Sequence, residues 1–75
     1  MVINFISTIP PINQGIKCLE TDTFSEVEEK LYKIYEELRN TNNMFNVNGG
    51  TILRFKNLKE NNIKDGDKVL LYTIE

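Results

Sequence analysis

Residues 23–39 constrain the fold more than any other stretch, because they carry the only long helical pattern in the chain. Their apolar residues recur at helical spacing and fall within a stripe about 100° wide, as one buried helix face requires. That stripe comprises Phe24, Val27, Leu31, Ile34, Tyr35 and Leu38. Thr23 stands three residues before Glu26, a spacing typical of a helix N-cap. We therefore predict one helix over residues 23–39, which ends at the following asparagine run or a turn earlier. The pairs Glu26–Lys30 and Glu29–Lys33 should lie in solvent, and the other segments should cover the apolar face.

Length and charge exclude several classes of protein. Seventy-five residues support one domain with one modest core, so we expect residues 1–75 to form a single domain. The net charge is -2, with acids and bases interspersed, which favours neither nucleic acid nor an anionic membrane as a partner. No apolar run approaches the ~20 residues of a membrane span, and the N-terminal apolar run is too short and uncharged for a secretory signal. We expect no nucleic-acid or membrane partner.

The residue types give little support to catalysis or metal binding. The chain has no histidine, and its single cysteine, Cys18, lies on a predicted core strand with no base beside it in the pattern. A lone thiol cannot form an internal disulfide and suits a reducing compartment, so we expect a cytoplasmic or nuclear protein. Asp65 and Asp67 lack the further oxygen ligands of a calcium loop, which favours a turn. We predict no catalytic residue, no cofactor and no metal.

Short strand patterns lie on both sides of the predicted helix. We predict strands over residues 1–7, 16–20, 44–47, 51–55 and 68–74. Two prolines and Gly15 indicate a hairpin loop over residues 8–15, and Asn48-Gly49-Gly50 indicates a tight turn with positive φ. The order is ββαβββ, or ββαββ if the fourth segment is not counted. The apolar residues recur every second position in the strands and every 3.6 positions in the helix, and the two patterns predict one shared core. In this core the inner face of the sheet packs against the helix, with Ile3, Phe5, Ile16, Cys18, Val69 and Leu71 on the sheet and Phe24, Val27, Leu31 and Ile34 on the helix.

Several short motifs follow one another in the second half of the chain: Phe45-x-Val47-Asn48-Gly49-Gly50, then Leu58 followed by Asn61-Asn62-Ile63, then Asp67-x-Val69-x-Leu71. In their order and spacing they resemble the second half of ubiquitin and of ubiquitin-like domains. Residues 21–24, Thr-Asp-Thr-Phe, are similar to the start of the family's helix. The resemblance covers nearly the whole chain, although the helix here is longer and lacks the family's following proline pair. It implies an α+β fold, a ubiquitin-like β-grasp with a mixed four- to five-stranded sheet packed on one helix.

The resemblance implies the fold of ubiquitin but not its chemistry. A modifier needs a flexible tail ending in diglycine, whereas this sequence ends Tyr72-Thr73-Ile74-Glu75. The central isoleucine of ubiquitin's hydrophobic patch becomes Asn46, and its final-strand valine becomes Tyr72. We expect a non-enzymatic, non-covalent protein-interaction domain of adaptor type, not conjugated in the form given. The alternatives are a modifier or precursor whose diglycine lies beyond residue 75, and other β-grasp roles such as sulfur carriers.

Residues between the core positions point away from the helix, and many of them are apolar. They should merge into one exposed patch, interrupted by Asn4 and Asn46 and extended by Ile74, that binds a protein partner or a second copy of the chain. Leu70 and Tyr72 are the expected anchors, with Met44 adapting around them. The predicted partner-binding residues are Val2, Ile6, Met44, Asn46, Leu70 and Tyr72. Alternatively, the long loop or chain beyond residue 75 covers this face.

Overall fold

The computed structural model describes residues 1–74, which form a five-stranded mixed sheet packed against one α-helix. The observed order is ββαβββ, with a short 3₁₀ helix after the α-helix. This confirms the five-stranded form of the prediction. The elements are β1 (Val2–Ser7), β2 (Ile12–Lys17), α1 (Phe24–Ile34), the 3₁₀ helix (Glu36–Asn40), β3 (Asn42–Val47), β4 (Gly50–Thr51) and β5 (Lys68–Ile74).

The first and last strands pair in the middle of the sheet. The strand order is β2-β1-β5-β3-β4, in which β1 and β5 are parallel and every other neighbouring pair is antiparallel. Two parallel strands need a crossover connection, and the chain that includes α1 supplies it. The helix covers one face of the sheet, and the opposite face is left uncovered by residues 1–74.

The core lies between the inner face of the sheet and the apolar face of α1. Every predicted core residue is buried except Ile34. Phe5 and Phe24 pack with ring centroids 6.1 Å apart, and Phe45 meets Phe24 edge-on at 5.1 Å. Further buried residues complete the core: Ile12, Leu38, Val47, Leu58 and Ile63.

Helix α1 begins as predicted but ends five residues early. The hydroxyl oxygen of Thr23 accepts a hydrogen bond from the Glu26 amide at 3.2 Å, which caps the helix. At Tyr35 the backbone leaves helical geometry, with φ -119° and ψ 76°. The core is then completed by Leu38 from the 3₁₀ helix, while Ile34, the last residue of α1, is 53% exposed. The predictions of a helix to residue 39 and of a buried Ile34 are therefore wrong.

Strand β2 both starts and ends earlier than predicted, so the hairpin loop is short and Cys18 follows the strand instead of lying on it. The loop occupies residues 8–11, and Ile12 already pairs with Ser7. Gly15 lies inside β2 opposite Asn4 and not in the turn, and a Cβ there would stand 3.2 Å from Val2 Cγ1. The two prolines lie in the loop after β1, and the polar residues of β2 are tolerated because β2 is an edge strand.

The segment after β4 turns away from the sheet. The predicted strand over residues 51–55 is reduced to Gly50–Thr51, and the chain then runs to the start of α1. There the amides of Phe24 and Ser25 donate to the carbonyl oxygens of Lys56 and Arg54, at 3.1 and 2.9 Å. These amides have no hydrogen-bond acceptor inside their own helix. The carbonyl oxygens of the segment supply the acceptors, and the two bonds hold the segment against the start of α1.

Both predicted glycine turns adopt the expected backbone. Asn48 and Gly49 have φ values of 52° and 77°, as a two-residue hairpin turn with two positive φ angles requires. Gly66, between Asp65 and Asp67, has a φ of 84°. Asp67 Oδ2 supports this turn by accepting from the Lys64 amide at 2.8 Å, and Asp65 Oδ1 ties the turn to β1 by accepting from the Val2 amide at 2.7 Å.

Candidate interaction surface

The face of the sheet opposite α1 carries the residues predicted to bind a partner. Along each of the longer strands, buried residues alternate with more exposed ones, as the pleat of a strand requires. We call the outward positions the outer face. It consists of Val2, Asn4, Ile6, Asn13, Gly15, Lys17, Asn42, Met44, Asn46, Thr51, Lys68, Leu70, Tyr72 and Ile74.

Four of the predicted residues are brought together around Leu70. In the observed register Leu70 stands opposite Ile6 on β1 and opposite Asn46 on β3. Two residues further along β5, Tyr72 stands opposite Met44. Neighbouring strands lie ~4.8 Å apart, so side chains in these positions are in reach of one another. Leu70 is 39% exposed and Tyr72 53%, and both are therefore accessible to a partner.

Ile74 extends this cluster toward the end of β5. It stands opposite Asn42, and like Met44 and Tyr72 it is about half exposed. These three apolar side chains line a shallow cavity beside β3 and β4. We define the apolar patch as Ile6, Met44, Leu70, Tyr72 and Ile74.

Val2 lies apart from the apolar patch. It is opposite Lys17 on β2, at the far end of β1 from Ile6. Asn4 separates Val2 from Ile6 along the strand, and Asn4 itself has Gly15 on one side and Lys68 on the other. The predicted residues are thus divided into a central cluster and one outlying valine.

A polar cluster on the helix side of the sheet was missed from the sequence. The sequence patterns assign no role to Glu28, and the structure shows that it is buried. Its Oε2 accepts from Arg54 Nη2 at 2.8 Å and from the Tyr32 hydroxyl, whose oxygen in turn accepts from Asn43 Nδ2 at 3.2 Å. The i,i+4 spacing of Glu28 and Tyr32 is the one local signal of this cluster, because Arg54 lies 26 residues away.

Two titratable groups are perturbed by burial. Desolvation, with the hydrogen bond to Glu28, raises the pKa of Tyr32 to about 12. Desolvation by burial also raises the pKa of the Cys18 thiol. Both groups are therefore neutral near neutral pH, and a thiol in that state is a poor nucleophile.

Residues 1–74 contain neither a cluster of metal ligands nor a membrane-spanning helix. No three histidine, cysteine, aspartate or glutamate side chains in this part of the chain are grouped so that they could hold a metal ion. None of its helices is long and apolar enough to span a membrane.

The fold can be compared with those of known proteins. No protein-family model matches the chain, and no curated protein matches it significantly. Among solved structures, the ubiquitin of Caldiarchaeum subterraneum aligns with a TM-score of 0.84 and 18% sequence identity, over 100% of this chain and 94% of that chain. At this identity the likeness concerns the fold. The chain therefore has the α+β fold of the ubiquitin-like β-grasp, as its motifs imply.

Proposed function

We propose that this chain is a protein-interaction domain that binds a partner non-covalently through the apolar patch. The supporting observation is the register that sets Leu70 beside Ile6 and Tyr72 beside Met44 on an uncovered sheet face. A sheet with one solvated face normally carries polar residues there. A contiguous exposed apolar cluster is typical of a surface that binds another molecule.

Each residue of the proposed surface has a distinct part in binding. Leu70 lies on the central part of the sheet and Tyr72 offers a large, rigid contact area, so both are suited to anchoring a partner. Met44 is flexible enough to adapt its shape around them. The amide oxygen of Asn46 accepts from the Gly49 amide at 3.0 Å, so this residue also holds the β3–β4 turn. Val2 is an outlying contact.

The test combines Leu70→Glu with Tyr72→Ala. Peptides displayed on phage are selected against the full chain, and their affinities are measured by calorimetry; self-association is followed by sedimentation. We expect the double variant to lose about tenfold or more in affinity, since each 1.4 kcal/mol of lost binding is tenfold. The matched control is Leu53→Glu with Phe55→Ala, which changes the same kinds of exposed apolar residue away from the strands of the sheet.

Survival of peptide binding or self-association in Leu70→Glu/Tyr72→Ala, with the fold intact by circular dichroism, would show that the patch is not the interface. An equal loss in the control variant would show that general surface hydrophobicity, and not this face, accounts for binding.

The alternative is a protein modifier or its precursor, which the likeness to a ubiquitin favours at the level of the fold. It is tested by sequencing the full transcript for a diglycine codon pair and by incubating the chain with ATP and purified activating enzymes from the source cell. Under the proposed function we expect no ATP-dependent thioester with the sequence as given. A thioester would establish the modifier in its place.

A further inference from the structure

The turn between β3 and β4 contains the one asparagine of the sequence that is followed by glycine. Because Gly49 has no side chain, its amide nitrogen can approach the side chain of Asn48 closely. Both residues are exposed, and a Cβ added to Gly49 would have no atom within 4 Å apart from its chain neighbours. This turn therefore projects into solvent, where water reaches both residues.

We propose that Asn48 is a site of spontaneous deamidation and that the side chain of Asn46 restrains the reaction. The Gly49 amide nitrogen loses its proton and attacks Cγ of Asn48, which closes a cyclic imide. The bond from Cγ to the side-chain nitrogen breaks, and that nitrogen leaves with the proton as ammonia. Water then opens the ring at either carbonyl, and the ring nitrogen regains a proton. The products are aspartate and isoaspartate, in which the main chain runs through Cγ.

The nitrogen that must attack is held by a hydrogen bond. The Gly49 amide donates to Oδ1 of Asn46 at 3.0 Å, and this bond must break before the nitrogen can lose its proton. The turn is closed on either side by the pairing of Val47 with Gly50 and has positive φ angles of 52° and 77°. The fold therefore slows the reaction, and a single side chain supplies the contact to the reacting nitrogen.

The Asp65-Gly66 turn provides a comparison within the same chain, since it can form the same imide with loss of water instead of ammonia. Its reacting groups are both tied to the backbone of β1: the Gly66 amide donates to the Val2 carbonyl oxygen at 2.7 Å, and Asp65 Oδ1 accepts from the Val2 amide. Strand β1 lies inside the sheet, whereas β4 is a two-residue edge strand. Folding should therefore protect Asp65 more strongly than Asn48.

The products change the charge and the geometry of the turn. Either one adds a carboxylate to a chain whose net charge is already -2. Isoaspartate also lengthens the main chain by a methylene, in a hairpin whose register depends on a two-residue turn. Strand β4 pairs with β3 only through Asn46 with Thr51 and Val47 with Gly50, so we expect this pairing to be lost in the isoaspartyl form. The reaction needs no partner and is independent of the function proposed above.

The test follows conversion at Asn48 in the full chain by peptide mapping and mass spectrometry, in neutral buffer with and without guanidinium chloride. We expect the folded chain to convert more slowly than the unfolded chain, and Asp65 to be protected by a larger factor. Asn46→Ala should speed conversion in the folded chain about fivefold, the factor that one net hydrogen bond corresponds to. Asn46→Asp keeps an acceptor at this position and should be no faster than the wild type.

The matched control is Thr51→Ala, which weakens the same strand pair without removing the acceptor and should change the rate by about twofold or less. Equal acceleration by Asn46→Ala and Thr51→Ala would overturn the restraint by Asn46. Folded Asn46→Ala that leaves Asn48 intact while the unfolded chain converts would overturn the site itself. If Asn46→Ala fails to fold by circular dichroism, Asn46→Val replaces it, because valine also lacks an acceptor and favours a strand.

Discussion

Arg54 Nη2 lies 2.8 Å from the carboxylate of Glu28, which joins the segment after β4 to helix α1. The Glu28 side chain is 8% exposed and that of Arg54 49%. A buried carboxylate without its cation would be strongly disfavoured. This contact, with the Tyr32 hydroxyl, is what allows a charged residue of the helix to face inward.

Arg54→Ala should therefore destabilise the fold by about 1–2 kcal/mol, less than for a fully buried pair because the guanidinium is half in water. Urea unfolding measures the change. The matched control is Lys56→Ala, whose ion pair with Glu60 is exposed on both sides and should contribute less than about 1 kcal/mol. Equal losses in the two variants would contradict a structural role for the Glu28 pair.

Two aliphatic residues of α1 should respond to truncation with losses of very different size. Leu31→Ala should cost about 2–5 kcal/mol, because Leu31 is fully buried and its removal leaves a cavity. Ile34→Ala should change the free energy of unfolding by about 0.5 kcal/mol or less, because Ile34 is mainly in solvent. Urea unfolding of both variants checks this, and similar losses would mean that the helix extends its buried face to Ile34.

The ionisation of Tyr32 should make stability fall at high pH. Burial and the hydrogen bond to Glu28 raise its pKa to about 12, above the ordinary value of about 10 in the unfolded chain. The unfolded state then releases this proton first, so the stabilisation is complete below pH ~10 and is lost as pH rises toward about 12. Unfolding free energies across that range, compared between the wild type and Tyr32→Phe, measure the effect. A wild-type slope no steeper than that of Tyr32→Phe would refute it.

Asn61 should be a stability determinant of the segment after β4. Its Oδ1 accepts from the Leu53 amide at 2.8 Å, and its Nδ2 donates to the carbonyl oxygens of Leu53 and Asn57 at 2.9 and 3.0 Å. Asn61→Ala removes these bonds together and should cost about 1–3 kcal/mol. Asn13→Ala, on the exposed face of edge strand β2, is the control and should be nearly neutral. Thermal unfolding of both variants measures the two changes in stability.

Local sequence patterns determined much of the fold. Strand β5 spans Lys68–Ile74 as predicted, because an apolar and β-branched run directly follows the Asp65-Gly66-Asp67 turn, in which Gly66 supplies the positive φ. The capping hydroxyl of Thr23 and the Asn48-Gly49 turn were likewise readable, because each depends on residues within three or four positions. The core followed from periods of 2 and 3.6 that agree on one buried face.

Tertiary structure decided what depends on distant residues. Glu28 can be buried because Arg54, 26 residues later, donates to its carboxylate. No residue pattern within the helix predicts that partner. Helix α1 ends at Ile34 although its apolar period continues, since Leu38 reaches the core from a 3₁₀ helix. Val2 is separated from the apolar patch by the register of the strands, which the hydrogen bonds between β1, β2 and β5 set. The alternation of residues along a single strand does not specify that register.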